Sequence, residues 1–227
     1  MTASRAIWRL LTFRITVEEF MSLGRRHLVV GLLWTWIVGM GRWWDDPDAR
    51  LLQHLGLGSV LYVGVLSALL WVVVLPLRPR NWTFTRVLTF VSMTSPPALL
   101  YAIPVEQLLE PATAGRLNLW FLAAVALWRV ALLLRFLSMV PRLGTVTRMV
   151  TALLPLSAIV SSLAALNLHR VVFRIMGGIA EHEKSVHDAA YSVLVFLTFC
   201  AVTALPILLV LYVAAIVHRR KRGISAL

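Results

Sequence analysis

One arginine stands inside an otherwise apolar stretch of the sequence. Arg129 occurs in ALWRVALLL, part of a run from about Leu117 to Val140 that is predicted to cross a membrane. A charge at membrane depth is costly, so such a residue usually faces the interior of a helical bundle, a partner or water. In one interpretation Arg129 binds an anionic headgroup or substrate. In the other, the span is shifted along the chain and Arg129 extends towards the cytoplasm beside Trp128.

Two adjacent prolines, Pro96 and Pro97, interrupt a second apolar run, from about Thr85 to Ile103. Each proline lacks a backbone N–H and clashes with the preceding turn, so the sequence predicts a kink or a break. Three hydroxyl side chains that could bond to the freed carbonyls precede the pair: Ser92, Thr94 and Ser95. A broken helix at membrane depth can form a substrate site, here with Arg129. The alternative is a kink that serves only packing.

The segment EHEKSVHD holds the densest group of possible metal ligands. These ligands are Glu181, His182, Glu183, His187 and Asp188. The spacing is HExxxH, whereas HExxH is the pattern that places two histidines and a general-base glutamate on one helix face. His182 and His187 therefore do not align, although Glu183 and His187 share a face. An ordinary solvated outer loop is the preferred interpretation, and a weak metal site at His182, Glu183 and His187 is the alternative.

An acidic aromatic segment lies between the first two apolar runs. It contains Trp43, Trp44, Asp45, Asp46 and Asp48. Paired tryptophans are typical of the interfacial belt of a membrane protein. The alternative interpretation is an epitope that binds a partner protein.

Other catalytic patterns are incomplete. The segment DPDARLLQHLGLG is similar to the opening of the phosphatidyltransferase motif, but Ser59, Leu61 and Val63 stand where further metal-binding carboxylates are needed. No GxSxG or Walker motif occurs, and the single cysteine, Cys200, excludes an intrachain disulfide and a CxxC site. We therefore expect no catalytic residue and no cofactor.

The elements that must position these residues are membrane helices. The 227 residues are 59% apolar and only 14% charged, with a mean hydropathy of +0.82, whereas soluble domains carry about 25% charged residues. Leu55 to Leu77 are 23 consecutive uncharged residues. At about 1.5 Å per residue they give roughly 34 Å of helix, enough to cross a hydrocarbon core of roughly 30 Å. The basic turn RPRNWTFTR that follows predicts a helical hairpin. The fold class is therefore an all-α polytopic bundle.

Six spans are predicted, and both ends of the chain are basic. The spans are residues 28–44, 55–77, 85–103, 117–140, 146–168 and 189–217, forming one transmembrane domain, 28–217. The first span is the weakest, because its uncharged core is only 13 residues long. Residues 218–227 are a basic tail that contains HRRKRG.

Residues 1–27 are predicted to form an amphipathic segment in the headgroup layer. Their arginines interleave with apolar side chains that would dip into the membrane, including Ile7, Trp8, Leu10, Leu11, Phe13 and Phe20. Thr16 followed by Glu19 fits a capping box, which predicts a helix that begins near Val17 and runs towards the first span.

The distribution of charge predicts sidedness. In the six-span arrangement 15 basic residues lie on the side of the two termini and six on the other, which places both termini in the cytoplasm. A net charge of +12 would indicate nucleic acid in a soluble protein. Here the charges lie in short loops and tails, so we expect anionic lipids as partners and no nucleic acid. A strong excess of arginine over lysine indicates a GC-rich bacterial genome, and hence the bacterial inner membrane.

The order of elements resembles that of the Yip1 domain family. The resemblance covers about Thr12 to Ser138 and lies in the lead-in FRITVEEFMSLGRR, the short first span and the third-span pattern RVLTFVSMTSPPALLYAIP. That family consists of small polytopic proteins with a cytoplasmic N-terminal segment and usually five spans, whereas six are predicted here. The resemblance implies a role in membrane organisation or as an adaptor, without catalytic residues.

These observations support three hypotheses. The first is a non-enzymatic inner-membrane scaffold or subunit of a larger assembly, with other membrane proteins or further copies as partners. The second is a small transporter or lipid-handling protein that uses the Pro96–Pro97 break and Arg129. The third, an outer-facing metalloenzyme at His182 and His187, requires bound metal.

Overall fold

A computed structural model describes residues 1–41, 55–79, 81–166 and 189–224, and within these ranges the regular elements are all helical. The α-helices are α1 (Ala3–Leu11), α2 (Val17–Met21), α3 (Arg25–Met40), α4 (Leu57–Val74), α5 (Phe84–Met93), α6 (Val105–Leu108), α7 (Pro111–Met139), α8 (Thr145–Ala165) and α9 (Ala189–Ile224). A 3₁₀ turn, Leu75–Leu77, follows α4, and a 3₁₀ helix, Pro96–Ala102, follows α5. The predicted all-α class is confirmed.

Within the described ranges, four helices are long and apolar enough to cross a membrane. They are Leu57–Leu77, Thr113–Met139, Thr145–Ala165 and Val195–Lys221. Among the described elements, α3 ends after 16 residues and α5 after ten, which give only about 24 Å and 15 Å of helix. The chain therefore has the helices of a multi-pass membrane protein, and the six-span topology stays a prediction.

The chain divides into two compact units. Unit 1 comprises Met1–Pro104 with Phe121–Arg148, and unit 2 comprises Val105–Trp120 with Met149–Leu227. In unit 1, the helices α3, α4 and α5 pack against one another, and α3 also contacts the 3₁₀ helix after α5. The tandem-proline segment and the second half of α7 thus belong to the same unit.

An aromatic cluster around Phe136 fixes α7 within unit 1. The Phe136 ring stacks on Phe90 of α5, with ring centroids 4.1 Å apart and planes 4° from parallel. Phe20 meets the same ring edge-on at 5.3 Å, and Trp82 of the hairpin turn lies 5.6 Å away. Phe136 and Phe20 are fully buried, so this contact holds α5, α7 and the N-terminal segment together.

Helices α3 and α5 approach so closely that a glycine is required. A Cβ atom added to Gly31 would lie 2.5 Å from the Ser92 Oγ atom and 3.1 Å from the Met93 backbone nitrogen. Any larger side chain would push the helices apart. Gly31 therefore brings the backbone of α3 against the last turn of α5.

The predicted capping box at Thr16 is confirmed. The Glu19 backbone N–H donates to the Thr16 hydroxyl at 3.3 Å, and the Thr16 N–H donates to the Glu19 carboxylate at 2.9 Å. The helix that this box begins is short, because α2 ends at Met21 and α3 starts only at Arg25. The expected continuous helix towards the first span is therefore two helices.

The apolar side of the N-terminal segment differs from the sequence expectation. Ile7, Leu10 and Phe20 are only 6%, 2% and 2% exposed, so they lie inside the protein and not in lipid. Trp8 is 65% exposed and remains available to the membrane surface. The reason for the difference is that the segment is docked onto α7.

Two side chains of α7 hold that segment through its backbone. The Trp128 indole N–H donates to the Leu11 carbonyl at 3.1 Å, and the Arg135 Nη2 atom donates to the Ile15 carbonyl at 3.2 Å. Both carbonyls lie in or beside the irregular link between α1 and α2, where helical partners are lacking. The arginine and the tryptophan satisfy them, and so fix the segment along α7.

In unit 2, α8 and α9 pack through aliphatic side chains. Val150 and Leu154 of α8 meet Leu208 of α9, and this core is covered by Ala204, Leu205 and Tyr212. Each helix continues through one internal proline, Pro155 in α8 and Pro206 in α9.

Candidate functional site

The predicted break at the tandem prolines is present. Helix α5 ends at Met93, and the 3₁₀ helix begins at Pro96. In a continuous α-helix the Ala98 N–H would bond to the Thr94 carbonyl. Here it donates to the Ser95 carbonyl instead, at 2.9 Å. The break therefore leaves the Thr94 carbonyl oxygen available to a side chain.

Arg129 forms a hydrogen bond with this freed carbonyl. Its Nε atom donates to the Thr94 oxygen at 3.1 Å, across 35 residues of sequence. The Arg129 side chain is half-buried. The structure thus brings together two features that the sequence singled out separately, Arg129 and the residues beside the tandem prolines.

The hydroxyl groups at the break are used by the protein itself. The Thr94 hydroxyl donates to the Val91 carbonyl at 2.8 Å, and the Ser92 hydroxyl donates to the Thr89 carbonyl at 3.1 Å. The Ser95 hydroxyl lies 2.7 Å from the Thr35 hydroxyl, so the two share a hydrogen bond. All three predicted hydroxyls are buried, and each has an internal partner.

Thr35 is a site residue that the sequence interpretation missed. It is 2% exposed on α3, and besides Ser95 its hydroxyl lies 3.0 Å from the Gly31 carbonyl and 3.4 Å from the Ser92 carbonyl. The signal was available, because a lone hydroxyl four residues after a glycine in an apolar run is typical of a close helix contact. Thr35 ties α3 to the broken end of α5.

The surroundings of Arg129 are aromatic and aliphatic. Tyr62 of α4 and Tyr101 of the 3₁₀ helix lie within electrostatic range of its guanidinium group. One turn earlier on α7, Val125 packs with Val38 and Ala98 in a small buried cluster that Tyr101 covers. No carboxylate in the described ranges forms an ion pair with Arg129. The guanidinium therefore has a neutral carbonyl partner and no counter-charge from these residues.

The other two candidate sites lie outside the described residues. These are the acidic aromatic segment with Trp43, Trp44, Asp45, Asp46 and Asp48, and the weak metal candidates His182, Glu183 and His187. Within the part of the chain that the structure describes, no group of three or more His, Cys, Asp or Glu residues could hold a metal ion.

The chemistry open to the break is binding and orientation. The hydroxyl groups at the break are already hydrogen-bonded within the protein. No general base lies among the described residues that contact Arg129. A guanidinium group held by one carbonyl can attract an anion, but it cannot by itself transfer a proton at ordinary pH.

Comparison with known proteins gives no match. No protein-family model fits the chain, and no curated protein and no solved structure is similar to it.

Proposed function

We propose that the protein is a non-enzymatic, multi-pass membrane scaffold or subunit of a larger membrane assembly. The observation that carries this proposal is the internal use of the polar groups at the helix break. Ser92, Thr94 and Ser95 are buried and hydrogen-bonded within the protein, and the Thr94 carbonyl is occupied by Arg129. A site that binds and releases cargo needs polar groups that are free to exchange partners, whereas these groups serve to fix α3, α5 and α7.

The proposed topology has six crossings of the bacterial inner membrane with both termini in the cytoplasm. Two short elements add up to one of these crossings. Helix α5 supplies about 15 Å, and the seven-residue 3₁₀ helix at about 2 Å per residue supplies about 14 Å more. Their sum is close to the roughly 30 Å of a hydrocarbon core. The broken segment is therefore long enough to cross if its two parts run in the same direction.

The proposed role is similar to that implied by the resemblance to Yip1 proteins. This chain and the Yip1 proteins share two features. One is an N-terminal segment ahead of a short apolar helix, and the other is a hydroxyl-rich helix that ends at prolines. This role requires no catalytic residue, in keeping with the committed hydroxyls at the break. The partners would be other integral membrane proteins or further copies of the chain.

Purification of the tagged protein from its native membrane in a mild detergent tests the proposal. We expect the protein to elute as an assembly larger than its monomer in size-exclusion chromatography with light scattering, and mass spectrometry should find stoichiometric partners or further copies. An unrelated membrane protein with the same tag is the control for detergent and tag. Recovery of monomer alone, with protein folded and membrane-inserted, would contradict the proposal.

One observation favours a second candidate, a small transporter or lipid-handling protein. Only the Nε atom of Arg129 is engaged by the described residues, so its two terminal nitrogens remain for an anionic ligand. In proteoliposomes that contain a fluorescent anionic phospholipid, the wild type should then speed lipid movement and Arg129→Leu should abolish it while remaining folded. Equal rates for both proteins would remove this candidate.

A further inference from the structure

Arg129 lacks a negative partner in the membrane helices of its own chain. The sequence has ten acidic residues, and all lie outside the apolar helices: Glu18, Glu19, Asp45, Asp46, Asp48, Glu106, Glu110, Glu181, Glu183 and Asp188. A buried ionic group in a membrane is normally paired, because the cost of leaving its charge uncompensated is several kcal/mol. The counter-charge for Arg129 must therefore come from outside these helices.

The depth of Arg129 argues against a lipid phosphate as the usual partner. In the apolar helix Thr113–Met139 it lies sixteen residues after the first residue and ten before the last. At about 1.5 Å per residue, these are about 24 Å and 15 Å from the two ends. The bond from Nε to the Thr94 carbonyl also directs the side chain towards the broken end of α5 and not along α7.

The geometry of the guanidinium suits a carboxylate. Because Nε is committed to Thr94, the plane of the group is fixed, and the far edge presents the N–H groups of both terminal nitrogens. Two parallel N–H donors match the two oxygens of a carboxylate, a bidentate and charge-assisted pairing. The neighbourhood is open to another helix, since Leu127, Trp128 and Tyr62 are 71%, 45% and 57% exposed.

We infer that Arg129 pairs with an aspartate or glutamate in a membrane-crossing helix of a different protein. A second copy of this chain cannot supply the group, because its apolar helices contain no acidic residue. This inference rests on the proposed role as a subunit of a membrane assembly and adds the chemistry of the partner: an apolar helix with one carboxylate near its centre.

The test uses two synthetic helices of leucine and alanine, each about 24 residues long, the length that crosses a bilayer. One carries a single central Asp and the other a central Asn, which has a similar shape and no charge. Binding to the full-length protein in lipid nanodiscs is measured by energy transfer at pH 8. We expect the Asp peptide to bind wild type at least about tenfold more tightly than the Asn peptide, since charge-assisted pairs are roughly twice as strong as neutral ones.

Variants of one position separate charge from fold. Arg129→Gln keeps an N–H donor for the Thr94 carbonyl but lacks the charge, so it should bind both peptides equally. Arg129→Lys keeps the charge and should retain part of the preference. Arg25→Gln removes an exposed arginine at the start of α3 and should leave the preference unchanged.

Equal binding of the two peptides to wild type would overturn the inference, whether or not Arg129→Gln folds. It would also be overturned if native mass spectrometry found an anionic phospholipid that wild type retains and Arg129→Gln loses, without any peptide preference. The lipid phosphate would then be the counter-charge. If the native assembly survives in Arg129→Gln, the subunit role stands and the pairing fails. If the Asp peptide is preferred but no native assembly is found, the pairing stands and the subunit role fails.

Discussion

The described helices contain single prolines and one tandem pair, and the difference between them shows when prolines end a helix. In unit 2, the helices α8 and α9 continue through Pro155 and Pro206. In unit 1, the tandem Pro96–Pro97 ends α5. A single proline removes one backbone donor, which a helix can tolerate with a kink. Two in a row remove consecutive donors, and each disfavours the α conformation of the residue before it.

The two sites also differ in what satisfies the exposed backbone. Around Pro96 the freed groups are buried and matched by side chains from other helices, Arg129 from α7 and Thr35 from α3. Pro206 itself is exposed, and the nearby exposed Thr203 hydroxyl bonds only to carbonyls of its own helix. The tandem site is thus a joint between helices, whereas the hydroxyl bonds beside Pro206 stay within one helix.

The largest effect is expected from a substitution that forces the joint apart. Gly31→Leu places a side chain where a Cβ atom alone would already meet Ser92 at 2.5 Å. We expect a loss of about 3 kcal/mol, the upper end of the range for overpacking, because α3 and α5 cannot both keep their positions. The measurement is the free energy of unfolding by sodium dodecyl sulfate in mixed micelles.

Gly58→Leu is the matched control, because a Cβ atom at Gly58 meets no atom within 4 Å. It should not lower the free energy of unfolding, because it meets no neighbouring atom and leucine has the higher helix propensity. Equal destabilisation by both substitutions would show that the added bulk alone, and not close packing at the joint, sets the effect.

A smaller effect should follow when the carbonyl loses its partner. Arg129→Leu leaves the Thr94 oxygen buried without its charged donor, which costs about 2 kcal/mol in proteins. Arg26→Leu, at an exposed position of α3, is the control and should be nearly neutral. The measurement is again the free energy of unfolding by sodium dodecyl sulfate in mixed micelles. An Arg129→Leu variant as stable as wild type would mean that the bond to Thr94 contributes nothing to the joint.

Replacing the prolines tests the comparison directly. Pro96→Ala with Pro97→Ala restores two donors, so α5 should continue and the Ala98 N–H should compete with Arg129 for the Thr94 carbonyl. Hydrogen–deuterium exchange of the peptide that covers residues 94–102 should then slow by about tenfold, as 3₁₀ bonds give way to α-helical ones. Pro206→Ala should alter exchange only near position 206, because α9 is already continuous there. Equal changes in exchange around Pro96–Pro97 and around Pro206 would contradict the distinction between tandem and single prolines.

Local features of this joint could be predicted from sequence, because they depend on neighbouring residues. The break at Pro96–Pro97, the capping box at Thr16 and the long helix that ends at Leu77 follow from proline geometry, cap chemistry and an uncharged run. Each of these depends on one contiguous stretch of the chain. The sequence singled out Arg129 and Thr94 separately for the same reason, since each stands out against its own neighbours.

The contact between Arg129 and Thr94 could not be predicted, because it depends on the rotation and depth of α7 relative to α5.

The position of the N-terminal segment shows a second limit of prediction from sequence. An amphipathic helix has the same pattern whether its apolar side meets lipid or protein, since both are apolar solvents for Ile7 and Leu10. What decides between them is Trp128 and Arg135, more than a hundred residues later in the chain.

The smallest change in stability should come from the removal of single hydroxyl groups. Two threonines, Thr35 and Thr203, allow a direct comparison. Thr35→Val removes the bond to the Ser95 hydroxyl and leaves that group buried, so we expect a loss of about 1 kcal/mol in the free energy of unfolding. Thr203→Val removes an exposed hydroxyl that bonds only within α9, and its effect should stay below about 0.5 kcal/mol. Both changes replace a hydroxyl by a methyl group on a β-branched side chain, so shape and helix propensity nearly cancel. If Thr203→Val costs as much as Thr35→Val, the hydroxyl at the joint acts only within its own helix, and α3 is held to α5 by packing at Gly31 alone.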